Sequence, residues 1–192
     1  AEHRYISVEW VEGSAFADRF TGSAAANGFR GGGGNDMFVA TPGRDWYFGD
    51  AGYDTVSYAD APQPVGVDLH LGRGKAGIAY GHRYISVENA TGSAWNDWLV
   101  GTDGANVLRG GAGDDRFWAR DGDDRLEGGA GNDLLTGGGG TDIAVFSDVR
   151  AAYEITPTGT GHVVTHLAAA GDGTDTLVGI EALQFADDLL WL

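Results

Sequence analysis

The 192-residue sequence predicts an all-β chain wound as a right-handed parallel β-roll in two blocks, with capping strands beside them. Three observations predict it. A nine-residue period runs through residues 13–57 and again through 92–145. In each period a glycine-rich hexapeptide precedes three residues whose middle member is apolar. The heptapeptide His-Arg-Tyr-Ile-Ser-Val-Glu occurs at 3–9 and at 82–88, and its 79-residue offset continues without a gap to pair Asp18 with Asp97, Asn27 with Asn106 and Asp54 with Asp133. This internal copy divides the chain into 1–81, the first block with its connecting strands, and 82–192, the second block with a C-terminal capping segment.

Numbering each unit one to nine puts an oxygen-bearing side chain at position six in all eleven units. They are Asp18, Asn27, Asp36, Asp45 and Asp54, then Asp97, Asn106, Asp115, Asp124, Asp133 and Asp142. Asp and Asn make up 27 of the 192 residues, so eleven consecutive hits at one phase would be a chance of roughly one in a billion. Position eight is always apolar: Phe20, Phe29, Phe38, Tyr47, Val56, Leu99, Leu108, Phe117, Leu126, Leu135 and Ala144. Glycine opens every unit except those led by Ala40 and Ala119.

Positions seven to nine form a short strand with position eight pointing inward, and the six residues before them form a turn. Two units complete a coil of eighteen residues, so units two apart stack in the same sheet. Each turn brings backbone carbonyls and a carboxylate to an edge of the roll, and glycine permits the backbone conformations this needs. Calcium fits such an edge because it accepts six to eight oxygen ligands in flexible geometry.

These residues resemble the calcium-binding repeats of RTX proteins, and the units from Gly31, Gly110 and Gly128 match that pattern at every defining position. The resemblance covers both blocks. The segment Gly171-Asp172-Gly173-Thr174-Asp175-Thr176-Leu177 is similar to the stretch that ends many such arrays. The resemblance implies that each ion lies between two stacked turns and takes a position-six side chain from each. The implied pairs are Asp18/Asp36, Asp36/Asp54, Asn27/Asp45, Asp97/Asp115, Asp115/Asp133, Asn106/Asp124 and Asp124/Asp142, about seven calcium ions in all. Backbone donors are expected from Gly31, Gly33, Gly52, Gly110, Ala112, Gly113, Gly128, Ala130, Gly131 and Gly140. The pairs containing Asn27 and Asn106 have one carboxylate fewer and are expected to bind most weakly.

Composition agrees. Against 28 acidic residues stand 12 basic ones, a net charge of -16 that disfavours nucleic acid and anionic membranes and favours cations. Without cysteine there is neither a disulfide frame nor a thiolate metal site. No apolar run is long enough to span a membrane, and the polar opening Ala1-Glu2-His3-Arg4 carries no secretion signal.

Outside the repeats, Val65, Val67, Leu69 and Leu71 alternate as in a half-buried strand, and a second strand is expected over Tyr84–Glu88. Strands near Tyr153–Thr156, Val163–Leu167 and Ala182–Phe185 are expected to cap the second block. The spaced glycines of Gly72-Arg73-Gly74-Lys75-Ala76-Gly77 lack the following helix that phosphate binding would need. His162 and His166 lack a third zinc ligand. Trp46, Phe48, Trp98 and Trp118 fall at outward positions seven and nine, where flanking strands or the other block are expected to cover them. The expected function is a non-catalytic calcium-binding module, and the resemblance to RTX proteins implies that it is part of a larger secreted bacterial protein and folds on calcium after type I secretion. The alternative is a carbohydrate-binding or adhesive module that meets a glycan or protein through Trp98 and Trp118.

Overall fold

The computed structural model describes residues 10–168 and 171–192; the first copy of the heptapeptide, residues 3–9, lies outside the described residues. Described strands form two facing sheets of twelve and nine. Successive units alternate between them, so residues eighteen apart pair in parallel: Trp10 with Gly28, Met37 with Thr55, Trp98 with Arg116 and Val107 with Arg125. The fold is a parallel β-roll.

Every position-eight side chain is buried between the sheets, from Phe20 to Ala144. Their alignment is that of the register: Phe29 stacks on Tyr47 at 5.9 Å, and Tyr47 on Tyr84 at 6.0 Å. No single three-residue strand could hold such a ring, since fully burying one large apolar side chain contributes about 1.5–3 kcal/mol. Stability must therefore accumulate over coils. The turns depend on glycine where the backbone enters the left-handed region, as at Gly32 and Gly34, both at φ 98°. A Cβ on Gly34 would fall 2.5 Å from the Ala17 nitrogen, so the close approach of stacked turns forbids one. Where Asp50 and Arg120 take the same conformation, at φ 67° and 88°, each is tied by an ion pair, Arg30–Asp50 at 2.6 Å and Arg120–Asp103 at 2.7 Å.

Both blocks contribute to both sheets. Thr55–Ser57 pairs with Asn89–Thr91, which pairs in turn with Val107–Ala112, and one apolar core runs from Phe20 to Phe185. The connecting segment corrects two expectations. Only Gly66–Asp68 is strand; Asp68 Oδ1 accepts the Leu71 N–H at 2.8 Å and turns the chain, which leaves Leu71 exposed. Tyr84–Glu88 is not one strand either. Ser86, at φ 50°, breaks it into Arg83–Ile85 of the twelve-stranded sheet and a crossing to Asn89–Thr91 of the nine-stranded one. The tail strands Tyr153–Pro157, Gly161–His166 and Ala182–Gln184 extend the sheets at the far end as expected. Of the four outward aromatics only Phe48 is half-buried, between Trp10 and Trp46; Trp46, Trp98 and Trp118 remain exposed, because the connecting strands join the sheet edge to edge instead of lying across its face.

Candidate metal centre

Position six builds a ladder along each edge of the roll. Where the same block holds another such residue eighteen positions later, the backbone N–H of the first donates to the side-chain oxygen of the second. Asp18 donates to Asp36 at 2.8 Å, Asp36 to Asp54 at 2.7 Å and Asn27 to Asp45 at 2.8 Å. In the second block Asp97 donates to Asp115 and Asn106 to Asp124, each at 2.7 Å, Asp115 to Asp133 at 2.8 Å and Asp124 to Asp142 at 2.9 Å. All seven pairs expected from the sequence are thus neighbours.

One oxygen of each carboxylate is used in this way, and the fate of the other separates two kinds of unit. In units that open with Gly-Ser or Gly-Thr it is satisfied locally: the Ser14 N–H donates to Asp18 at 2.7 Å and the Ser93 N–H to Asp97. The side-chain oxygens of Asn27 and Asn106 receive the Ser23 and Thr102 N–H, both at 2.8 Å. Asp45, in the unit led by Ala40, has its Oδ2 held by the Tyr47 hydroxyl at 3.1 Å and the Thr41 hydroxyl at 3.4 Å. In the remaining six units it has no partner. The Oδ2 atoms of Asp36, Asp54, Asp115, Asp124, Asp133 and Asp142 are buried and make no hydrogen bond. A buried ionised oxygen left this way costs several kcal/mol, which makes each an acceptor that a cation would satisfy.

The opening glycines keep that space clear. A Cβ on Gly110 would fall 2.6 Å from the Gly128 carbonyl oxygen and closer still to Asp115 Oδ2; one on Gly31 would meet the Gly49 carbonyl at 2.8 Å and Asp36 Oδ2. A carbonyl of the next coil and a bare carboxylate oxygen therefore converge on one small volume. Of the expected backbone donors, the carbonyls of Gly31, Gly110 and Gly128 each stand beside the opening glycine of the preceding coil; Gly128 faces the bare Asp115 Oδ2, whereas Gly31 and Gly110 face Asp18 and Asp97 oxygens that already hold a serine N–H. Gly33 and Ala112 donate their N–H to the Ser14 and Ser93 carbonyls, while the Ala130 carbonyl accepts the Gly113 N–H at 2.8 Å. Gly52, Gly131 and Gly140 take positive φ and pack over the carbonyls of Gly34, Gly113 and Gly122. No group of three His, Asp or Glu side chains that could hold a metal occurs among the described residues, so a shell here must draw on carbonyls, as calcium shells do.

Burial raises these carboxyls above the ordinary carboxylate range, and stacked neighbours add to it: Asp36 to about 6, Asp124 to about 7, Asp115 to about 8. In each case a backbone N–H opposes the shift. The folded metal-free chain thus binds more protons than the unfolded one between about pH 4 and pH 8, and its stability falls as pH rises through that window. Acidifying calcium-free protein from pH 8 towards pH 5 is expected to increase its β-content, while the affinity of the folded chain for calcium falls as protons compete for the same oxygens. Circular dichroism without calcium at several pH values checks the first, and calcium-binding isotherms of the folded chain at the same pH values check the second.

Sequence reasoning missed ladder positions outside the nine-residue register. The Asp133 N–H donates to Asp175 at 2.8 Å, the Asp54 N–H to Glu88 at 2.9 Å and the Asp142 N–H to Glu181 at 2.8 Å. A signal existed for Glu88, which stands nine residues before Asp97, and for Asp175, two residues before buried Leu177. On the other edge His82 follows Asp45, with Nε2 at 3.5 Å from its Oδ2. Burial lowers that histidine to about 4 and keeps it neutral. A second ladder at position five also escaped notice: the Asp114 N–H donates to Asn96 at 3.0 Å, and the Asn132 N–H to Asp114 at 2.9 Å.

A family model described as the RTX calcium-binding nonapeptide repeat matches four times, at residues 7–38, 29–56, 91–126 and 118–145. Merged, these matches cover more than half of the chain. A search of curated proteins gave no match. No described helix is long and apolar enough to cross a membrane. With repeats matched in both blocks and a stacked carboxylate ladder under each, this chain belongs to the RTX calcium-binding nonapeptide repeat family and is a calcium-binding module.

Proposed function

We propose that calcium drives the folding of this module outside a bacterial cell, after type I secretion of a larger protein that carries it, and that the module itself catalyses nothing. The observation that carries this reading is the row of buried, unpartnered Oδ2 atoms at Asp36, Asp54, Asp115, Asp124, Asp133 and Asp142. A chain with net charge -16 and stacked acids resists coiling while calcium is scarce, which suits passage in an unfolded state. About seven ions would neutralise nearly all of that charge. Among the seven pairs, Asp36/Asp54, Asp115/Asp133 and Asp124/Asp142 begin on a bare oxygen and should bind most tightly. Those beginning at Asp18, Asn27, Asp97 and Asn106 start on an oxygen that already holds a Ser or Thr N–H. Calcium titration followed by circular dichroism should place the folding midpoint near 0.1–1 mM, the range of extracellular modules; a midpoint at cytosolic calcium levels would refute the secretion switch.

A second reading is favoured by one surface. Trp98 and Trp118, 37% and 39% exposed, meet edge to face at 5.9 Å beside a cleft of about 670 Å³ that Asp68, His70 and Arg120 also line. Aromatic faces beside polar hydrogen-bonding groups suit a sugar chain. On this reading Trp98→Ala and Trp118→Ala each weaken binding to an immobilised polysaccharide at least tenfold with calcium binding unchanged. Equal retention of wild type and both variants would remove it.

A further inference from the structure

Two glutamates outside the repeats complete coils that would otherwise end on a bare carboxylate, and they do so in the same way. The Asp54 N–H donates to Glu88 Oε2 at 2.9 Å, and the Asp142 N–H to Glu181 Oε2 at 2.8 Å. Each glutamate is reached by a shortened turn. Ser86 at φ 50° and Gly179 at φ 60° reverse the chain, buried Val87 and Ile180 anchor it, and the glutamate follows. The Asp54 carbonyl then accepts both the Glu88 and Asn89 N–H, at 3.2 and 2.9 Å. The Asp142 carbonyl accepts the Glu181 and Ala182 N–H, both at 3.1 Å. Two unrelated stretches of sequence have thus arrived at one local structure.

A glutamate that only received a backbone N–H would explain one of its oxygens and nothing else. The facing atoms require more. Asp54 and Asp142 are fully buried, and the Oδ2 of each has no hydrogen-bond partner. The carbonyl of Ser86 converges with Asp54 Oδ2 on the space where a Cβ of Gly49 would stand, and the carbonyl of Gly179 does so with Asp142 Oδ2 beside Gly137. Within the repeats, the Gly128 carbonyl and Asp115 Oδ2 frame the space beside Gly110 in the same manner. The longer glutamate side chain makes up for a turn three residues shorter.

The geometry points to two additional calcium sites, Asp54/Glu88 with the Ser86 carbonyl and Asp142/Glu181 with the Gly179 carbonyl, which continue the metal array beyond the last nine-residue unit of each block. The first bridges the two blocks, so calcium bound there couples their folding. The second ties the C-terminal strands to the last repeat. This inference rests on the calcium reading above and adds sites to it.

The test is a count of bound calcium by equilibrium dialysis on the intact chain and on Glu88→Gln and Glu181→Gln. Glutamine keeps an oxygen for the Asp54 or Asp142 N–H and removes the charge. Each variant is expected to lose one ion or bind it at least tenfold more weakly, and the double variant two, with circular dichroism at saturating calcium unchanged. Anomalous scattering from wild-type crystals grown with terbium provides a measurement that needs no variant, with peaks expected between Asp54 and Glu88 and between Asp142 and Glu181. Unchanged calcium counts in both variants, or terbium peaks confined to the repeat pairs, overturn the inference while leaving the calcium module intact. A wild-type chain that binds no calcium overturns both.

Discussion

Chelating calcium is expected to abolish most of the β-signal of this chain, and restoring calcium to bring it back. At ten times its dissociation constant one ion stabilises the fold by about 1.4 kcal/mol, so about seven contribute about 10 kcal/mol. Typical domains have a total stability of about 5–15 kcal/mol. Removing the metal therefore takes away a quantity comparable to the whole, and it leaves Asp115, Asp124 and their neighbours buried beside one another with Oδ2 unpartnered. Circular dichroism with chelator and then with excess calcium measures the effect. Equal β-content in both would mean that the apolar core from Phe20 to Phe185 suffices alone.

The second large effect is expected at Asp115, whose carboxylate belongs to two successive pairs. Its Oδ1 accepts the Asp97 N–H and its Oδ2 faces the Gly128 carbonyl across the space beside Gly110. In Asp115→Asn the hydrogen bond survives, because an asparagine oxygen accepts it equally well, as Asn27 and Asn106 show that position six tolerates the amide. The metal charge balance does not survive. With two sites weakened, the calcium-loaded protein is expected to lose about 3 kcal/mol and the folding midpoint to rise several-fold. In chelator the sign reverses: burial pushes the Asp115 carboxyl to about 8, so replacing it with a neutral amide relieves a penalty, and the variant should be the less unfolded of the two. Paired calcium titrations check both signs, with Glu127→Gln as control, since its exposed ion pair with Arg109 at 3.1 Å is worth little. A uniform loss under both conditions would assign Asp115 a packing role only.

The sequence alone determined the roll and most of its edges. A period of nine with one apolar residue and one oxygen-bearing residue at fixed phases leaves a single arrangement in which every Phe, Leu or Tyr at position eight is buried and every position six meets its neighbour eighteen residues on. The register of Asp36 on Asp54 and Asp115 on Asp133 followed from counting. Tertiary structure alone decided what happens where the count stops. That Ser86 would turn at positive φ, splitting an apparent strand and delivering Glu88 beneath Asp54, depends on a crossing between sheets whose separation no local pattern encodes. Likewise, which carboxylates keep a bare oxygen was set by whether a local donor reaches it, the Ser93 N–H at Asp97 or the Tyr47 hydroxyl at Asp45, or leaves it to a cation, as at Asp115. Periodicity specifies which residues become neighbours; only the packed coils specify which of their polar atoms remain unsatisfied.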